Sequence, residues 1–250
     1  MTAPVFVLTD LSSTDSVLEL SGPEGRHAVS SLRLVVGEAV DLVDGIGRRV
    51  TGEIIDVSGR ECARIRVIAV TDEPEPMPHI TVVQALPKGE RGELAVELLT
   101  EVGVDVIVPW AARNCVAQWR GERADRGLRK WTDAAQAAAK QARRARFPVV
   151  EPIASTADVV ARLAEASVGL VLHETATAAI GSVATEGVRD FVLVVGPEGG
   201  VDPNELAAFS SAGAETVVLG PSVLRTSSAG MAGAVALLAR TSRWDGRMAP

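Results

Sequence analysis

Prolines at positions 74, 76 and 78 divide this chain into two parts that obey different hydrophobic periods. Proline lacks a backbone N–H and fixes its own φ, so three in five residues continue neither a helix nor a central strand. The stretch 72–78 therefore reads as a linker, with a first domain over 1–74 and a second over 75–250. Upstream, short apolar runs alternate with turn residues: VFVL (5–8), VLEL (17–20), AVDLVDG (39–45), RVTGEIIDV (49–57) and CARIRVIAV (62–70). Asp44-Gly45 and Ser58-Gly59 supply residues that tolerate positive φ, as hairpin turns require. One helical stretch, near 25–34, interrupts the strands. Such a chain closes readily into a small β-barrel, which removes exposed strand edges.

Downstream, strands alternate with helices. ITVVQAL (80–86) precedes a helix from about 92 to 101, and VDVIVPW (104–110) follows. A long Ala- and Arg-rich helix is predicted over roughly 124–143 and another near 156–165, then the strands VGLVLH (168–173) and FVLVVG (191–196). Asp202-Pro-Asn-Glu205 is a helix start, with an N-cap Asp, a first-turn Pro and a Glu three residues after the cap. Gly213 can end that helix, TVVLG (216–220) is the next strand, and a last helix runs from about 227 to 240. Apolar strands alternating with helices imply an α/β domain with a parallel sheet covered on both faces.

Composition narrows the function. With 47% hydrophobic and 23% charged residues, the chain is an ordinary folded globule rather than a disordered one. No apolar run approaches the ~20 residues of a bilayer-spanning helix, and MTAPVFVLTD lacks the basic and apolar regions of a secretory signal. Cys62 and Cys115 are isolated, and with His27, His79 and His173 they show no metal-ligand spacing. The expectation is a reduced, cytoplasmic protein without a metal. Tyr is absent and aromatics make up 3%, so rows of base-stacking rings are not expected. A net charge of −7 argues, as a sum, against nucleic acid. Its distribution argues otherwise: positions 113–146 hold ten basic residues against three acidic ones. That stretch is either a solvated helix face or a phosphate-binding surface.

Two loops carry the chemistry: Gly196-Pro-Glu-Gly-Gly200 after FVLVV, and Gly220-Pro-Ser-Val-Leu-Arg-Thr-Ser-Ser-Ala229 after TVVL. In α/β sheets, ligands bind outside the carboxyl ends of strands, where glycines let the backbone approach closely. A Rossmann-type oxidoreductase needs G-x-G-x-x-G, and Pro197 and Glu198 break that spacing.

The order strand, GPEGG, DPNEL helix, strand, LGPSVLRT and small-residue helix resembles the end of SPOUT-class RNA methyltransferases. Within that class the chain resembles the 16S ribosomal RNA (uracil-N3) methyltransferase family. The likeness rests on Arg26-His27…Leu32-Arg33…Gly37-Glu38…Asp44-Gly45 in the first domain. In the second it rests on Lys88-Gly-Glu-Arg91, Thr100-Glu-Val-Gly-Val104, Pro109, Trp131…Gln141…Arg144…Pro148, GPEGG and LRT. It covers nearly the whole chain. It implies a PUA-like RNA-binding barrel joined to a trefoil-knotted α/β domain, S-adenosylmethionine as cofactor, and a homodimer. It also implies a substrate uridine at position 1498 of the small-subunit RNA.

The same resemblance implies cofactor contacts from Leu172, His173, Gly196, Glu198, Gly199, Gly200, Leu219, Gly220, Ser222, Leu224 and Ser227. Methyl transfer to N3 requires loss of its proton, so a base or a cation that stabilises the uridine anion is needed. Arg225 is the candidate cation, and Glu198 the carboxylate that meets cofactor or uridine; each also has a structural reading, as a loop-binding guanidinium and a turn-stabilising carboxylate. Arg26, Arg33, Arg113, Arg143 and Arg144 are the candidate RNA contacts. The family commonly shows Arg-x-Glu-Thr-Ala where this chain has Arg225-Thr-Ser-Ser-Ala229, which leaves Ser227 as a possible helix cap; a basic residue common near Leu98 is also missing. A non-catalytic RNA-binding or ribosome-assembly factor on the same scaffold is the alternative, although the glycine loops are intact.

Overall fold

The computed structural model describes residues 3–11, 16–89 and 91–244. Met1 and Thr2 of the N-terminal stretch and Glu90 of the Lys88–Arg91 motif lie outside them. The chain forms two compact units: Met1–Glu75 with Ala139–Phe147, and Pro76–Ala138 with Pro148–Pro250. The nine-residue return to the first unit lies far from the proline linker, and its basic residues belong to the longer stretch 113–146, which marks no boundary.

The first unit is a five-stranded sheet of β1 (Val5–Val7), β2 (Val17–Leu20), β3 (Ala39–Val43), β4 (Arg48–Ser58) and β5 (Cys62–Asp72), in the order β1-β3-β4-β5-β2. β1 and β3 run parallel and the remaining pairs antiparallel. Asp44 organises the β3–β4 turn by accepting N–H bonds from Ile46 and Arg48, and Gly45 and Gly59 both adopt positive φ. The expected helix starts earlier than predicted, because Pro23 occupies the first turn of α1 (Gly22–Arg26). A π-helical turn, His27–Ser31, follows, and Arg33 then leaves it at φ 57°. Helix α1 meets the open edge of the sheet: Glu24 accepts the Val7 N–H at 3.1 Å, and His27 packs edge-on against Phe6. Gly25 lets α1 lie against the β4–β5 turn as well, since a Cβ there would lie 2.1 Å from the Glu61 carbonyl oxygen.

Residues 139–147 dock on the same unit. Gly47 N–H donates to the Ala145 carbonyl at 3.1 Å and Phe147 N–H to that of Gly45 at 2.8 Å. Val5, Val43, Ala145 and Phe147 form a small apolar cluster there. Lys140 holds the Glu24 carboxylate at 2.6 and 2.8 Å, and the Arg146 guanidinium donates to the Glu73 and Pro74 carbonyls.

The second unit is a seven-stranded parallel sheet. Its strands are β6 (His79–Ala85), β7 (Val106–Trp110), β8 (Val149–Val150), β9 (Val168–Leu172), β10 (Ala178–Ala179), β11 (Asp190–Val195) and β12 (Glu215–Val218). The order is β10-β12-β9-β11-β6-β7-β8, with every pair parallel. The helices are α2 (Arg91–Glu101), α3 (Glu122–Gln141), α4 (Thr156–Glu165), α5 (Pro203–Ser211) and α6 (Thr226–Leu238). One face of the sheet packs against Val96, Leu99, Trp131, Ala135, Ala234 and Leu237, the other against Val159, Leu163 and Phe209. Both faces are thus covered, which is why strands such as β6 and β11 are buried at nearly every position. The capping box of Asp202 and Glu205 starts α5, and Gly213 follows its end at φ 92°. The two-residue strands β8 and β10 are too short to show a period in sequence.

Candidate active site

The carboxyl ends of β9, β11 and β12 open into one cavity of about 510 Å³. Three loops wall it. Leu172, His173 and Glu174 follow β9; Gly196, Pro197, Glu198, Gly199 and Gly200 follow β11; Leu219 to Arg225 follow β12. Strand geometry dictates this placement, because neighbouring parallel strands deliver their carboxyl ends to the same rim. The volume lies within the range of small-molecule sites.

Local bonding fixes each wall. Gly200 adopts φ 76° and donates its N–H to the Pro197 carbonyl at 2.9 Å, closing the glycine turn. From outside, the Asn114 amide donates to the Gly200 carbonyl at 3.0 Å. Glu198 turns toward another loop and accepts the Lys88 N–H at 3.1 Å. The His173 N–H donates to the Val217 carbonyl, and its ring Nδ1 lies 3.0 Å from the Thr175 hydroxyl. Arg225 is exposed, and its side chain forms no ion pair among the described residues.

Every expected cofactor residue lines this cavity except Ser227. Ser227 is the second residue of α6 and is buried, whereas Arg225 occupies the N-cap position without a side-chain cap bond. The helix begins two residues earlier than Ser227 capping would require. The Ser228 hydroxyl donates to the Arg225 carbonyl at 3.2 Å instead.

Four residues in or beside the cavity carry no site role in the sequence, although Arg91 stands in one of the motifs that support the resemblance. Arg91 and Glu174 line the cavity, Asn114 holds the glycine turn, and Gln84 lies fully buried at the end of β6. The Gln84 amide donates to the carbonyls of Ala85 at 3.1 Å and Thr226 at 3.4 Å, tying β6 to the start of α6. Its Oε1 is buried without a partner among the described residues. An amide side chain inside the strand ITVVQAL was the available signal.

The expected RNA contacts divide between the units. Arg26 pairs with Glu61 at 2.7 Å in the first, where Arg33 and Arg143 are exposed with φ near +57° and +58°. Arg144 lies there too, half-buried. Arg113 belongs to the second, its N–H donating to the buried Glu205 carboxylate and its guanidinium lying 3.5 Å from Asp202. The Asn204 N–H, with that guanidinium, holds the Asp202 carboxyl below the usual carboxylate range. Burial pushes the Cys115 thiol up, away from a reactive thiolate. Among the described residues, no group of His, Cys, Asp and Glu could hold a metal ion, and no helix is long and apolar enough to cross a membrane.

The RNA methyltransferase domain family matches residues 73–238, and the RNA methyltransferase PUA domain family matches residues 20–65. Ribosomal RNA small subunit methyltransferase E of Mycobacterium tuberculosis is 45% identical over 249 residues, covering 98% of this chain and 95% of that protein. The chain belongs to the ribosomal RNA small subunit methyltransferase E family. Solved structures show the same fold. A Legionella pneumophila protein solved with the cofactor SAM bound is 27% identical with a TM-score of 0.85, covering 96% of this chain and 98% of that one. The Neisseria gonorrhoeae member of the family, bound to S-adenosylmethionine, is 25% identical with a TM-score of 0.81, covering 95% and 98%. The architecture is therefore that of this family: a SPOUT-type α/β domain with a smaller PUA-like domain before it.

Proposed function

We propose that this chain methylates small-subunit ribosomal RNA, with S-adenosylmethionine as donor and N3 of the uridine at position 1498 as acceptor. The observation that carries the reading is the cavity where three strand ends meet, walled by two glycine loops and edged by Arg225. Its residues fit the cofactor. Gly200 and Gly220 leave space where a Cβ would stand, so the backbone is open to a flat ligand, and Leu172, Leu219 and Leu224 give apolar surface. Glu174 and Glu198 supply negative charge for a cationic ligand.

S-adenosylmethionine, when bound, supplies an electrophilic methyl on a sulfonium that carries its own leaving group. The protein's part is positioning and charge. The loops at 196–200 and 219–225 orient the donor. Arg225 stabilises the negative charge that develops on the uracil as N3 gives up its proton to water at the open rim of the cavity. A guanidinium offers donors and no acceptor, so Arg225 serves as a cation rather than as the base.

The chain acts as a homodimer in this reading. The small residues of α6 serve the fold first: a Cβ at Gly233 would stand 2.7 Å from Leu193, and one at Gly230 3.1 Å from Leu99. The partly exposed side of α6, with Met231, Ala232, Val235 and Ala236, remains for a second subunit. Light scattering at micromolar concentration should give a dimer; a methylating monomer of 26.1 kDa would reject that part.

The decisive experiment incubates the protein with S-adenosylmethionine and small ribosomal subunits from a strain lacking the enzyme, then maps methylation by mass spectrometry. One new methyl group on N3 of that uridine is expected. Cofactor binding without any methylation would favour the assembly-factor alternative.

A further inference from the structure

We propose that Arg91 is an RNA phosphate anchor at the rim of the cavity, held in place by the Glu198 carboxylate acting on the loop before it. The inference rests on the methyltransferase reading and extends it to a residue outside the two glycine loops.

Two arginines, Arg91 and Arg225, line the cavity. Both are exposed, and neither forms an ion pair among the described residues. The cofactor carries two positive centres, sulfonium and ammonium, and one carboxylate, so it enters as a net cation. Glu174 and Glu198 suit its positive centres, but two guanidiniums exceed what one carboxylate requires. Like charges gathered in one cleft repel unless an anion joins them. A polyanion resolves the excess, because each nucleotide brings a phosphate that a guanidinium can grip in bidentate fashion. Arg225 belongs to the donor loop after β12, where the reacting base must arrive. Arg91 begins α2, on a separate segment, and is the one suited to the strand that carries that base.

The loop from β6 to Arg91 is short and includes Gly89 at φ 68°. Its attachment to the glycine turn is the Lys88 N–H bond to Glu198 at 3.1 Å. Glu198 is thereby a positioning residue for Arg91: its oxygen fixes the loop whose next turn presents the guanidinium. Toward the loop that work needs an acceptor oxygen and not a charge, so a glutamine amide can take it over.

Binding of a fluorescein-labelled RNA hairpin carrying the target uridine should be followed by anisotropy across a salt series, with saturating S-adenosylhomocysteine. Arg91→Ala is expected to raise the RNA Kd about tenfold at low salt and to flatten the slope of log affinity against log salt by about 0.7–0.9. Arg91→Lys should retain most of the slope, and S-adenosylmethionine affinity of Arg91→Ala, by calorimetry, should stay within about twofold of wild type. Glu198→Ala should weaken RNA binding as Arg91→Ala does, while Glu198→Gln, which keeps an acceptor, should restore it. Wild-type RNA affinity and slope in Arg91→Ala would overturn the anchor. So would loss of S-adenosylmethionine affinity in that variant, which would assign Arg91 to the cofactor carboxylate. Equal RNA loss in Glu198→Gln and Glu198→Ala would overturn the positioning role. These outcomes are separate from failure of the functional reading, which would appear as wild-type protein that neither binds S-adenosylmethionine nor methylates ribosomal RNA.

Discussion

Gly199 and Gly220 sit in the two glycine loops, but a side chain would meet different surroundings at each. A Cβ on Gly199 would press on Asn114, 3.2 Å from its Cβ and 3.3 Å from its carbonyl oxygen. At Gly220 nothing lies within 4 Å, and the residue lines the cavity. Gly220→Val is therefore expected to abolish S-adenosylmethionine binding in calorimetry while leaving Tm unchanged. Gly199→Val should instead lower Tm by disturbing the Asn114 contact, with a smaller effect on affinity. Equal affinity losses in the two variants, with both folds intact, would reject this assignment. The glycine loops were legible in sequence because glycine and proline mark turns wherever they occur. Asn114 and Gln84 were not, since their partners stand 86 and 142 residues away and only the fold brings them close.

Secondary-structure elements were legible where a hydrophobic period had room to repeat. Helix α4 at Thr156–Glu165 and strand β2 at Val17–Leu20 fall on the expected residues, with Ser155 and Asp158 forming a capping box for the former. The π-helical turn after α1 was not legible, because a change of hydrogen-bond register leaves composition unaltered. Nor was the clasp at the start of β6 and β7. Arg243 and Asp105 are both about nine-tenths buried and 2.6 Å apart, and the guanidinium also donates to the carbonyls of Pro78 and Gly103. In sequence they are two ordinary charged residues 138 positions apart. Removing one partner of a buried pair strands the other in a poor dielectric, at a cost of about 3–5 kcal/mol. Arg243→Ala should accordingly lower Tm by roughly 10 °C in a calorimetric scan. An unchanged Tm would show that solvent reaches Asp105 and that the clasp contributes little.

For the whole molecule the question is how a chain of net charge −7 approaches RNA. At physiological salt a charge is felt over about 8–10 Å, so local clusters outweigh the sum. The basic stretch 113–146 is not one uniform surface. Lys140 is committed to Glu24, Arg146 to the Glu73 and Pro74 carbonyls, and Lys130 lies 3.4 Å from Glu93. Arg123, Arg126 and Arg129 differ: they recur every third residue on α3, are exposed, and have no ion pair among the described residues. Spacing of three keeps them on one side of the helix. We expect this trio to supply phosphate contacts that the count of basic residues alone could not separate from the structural ones. Replacing all three with Ala should weaken RNA binding at low salt and flatten the log–log salt slope by roughly two units. Lys140→Ala serves as the opposite control, because its ammonium holds Glu24 inside the first unit. It should lower Tm and leave the slope near wild type. If the triple variant kept the wild-type slope while Lys140→Ala flattened it, the RNA-facing charge would lie at 139–147 rather than along α3.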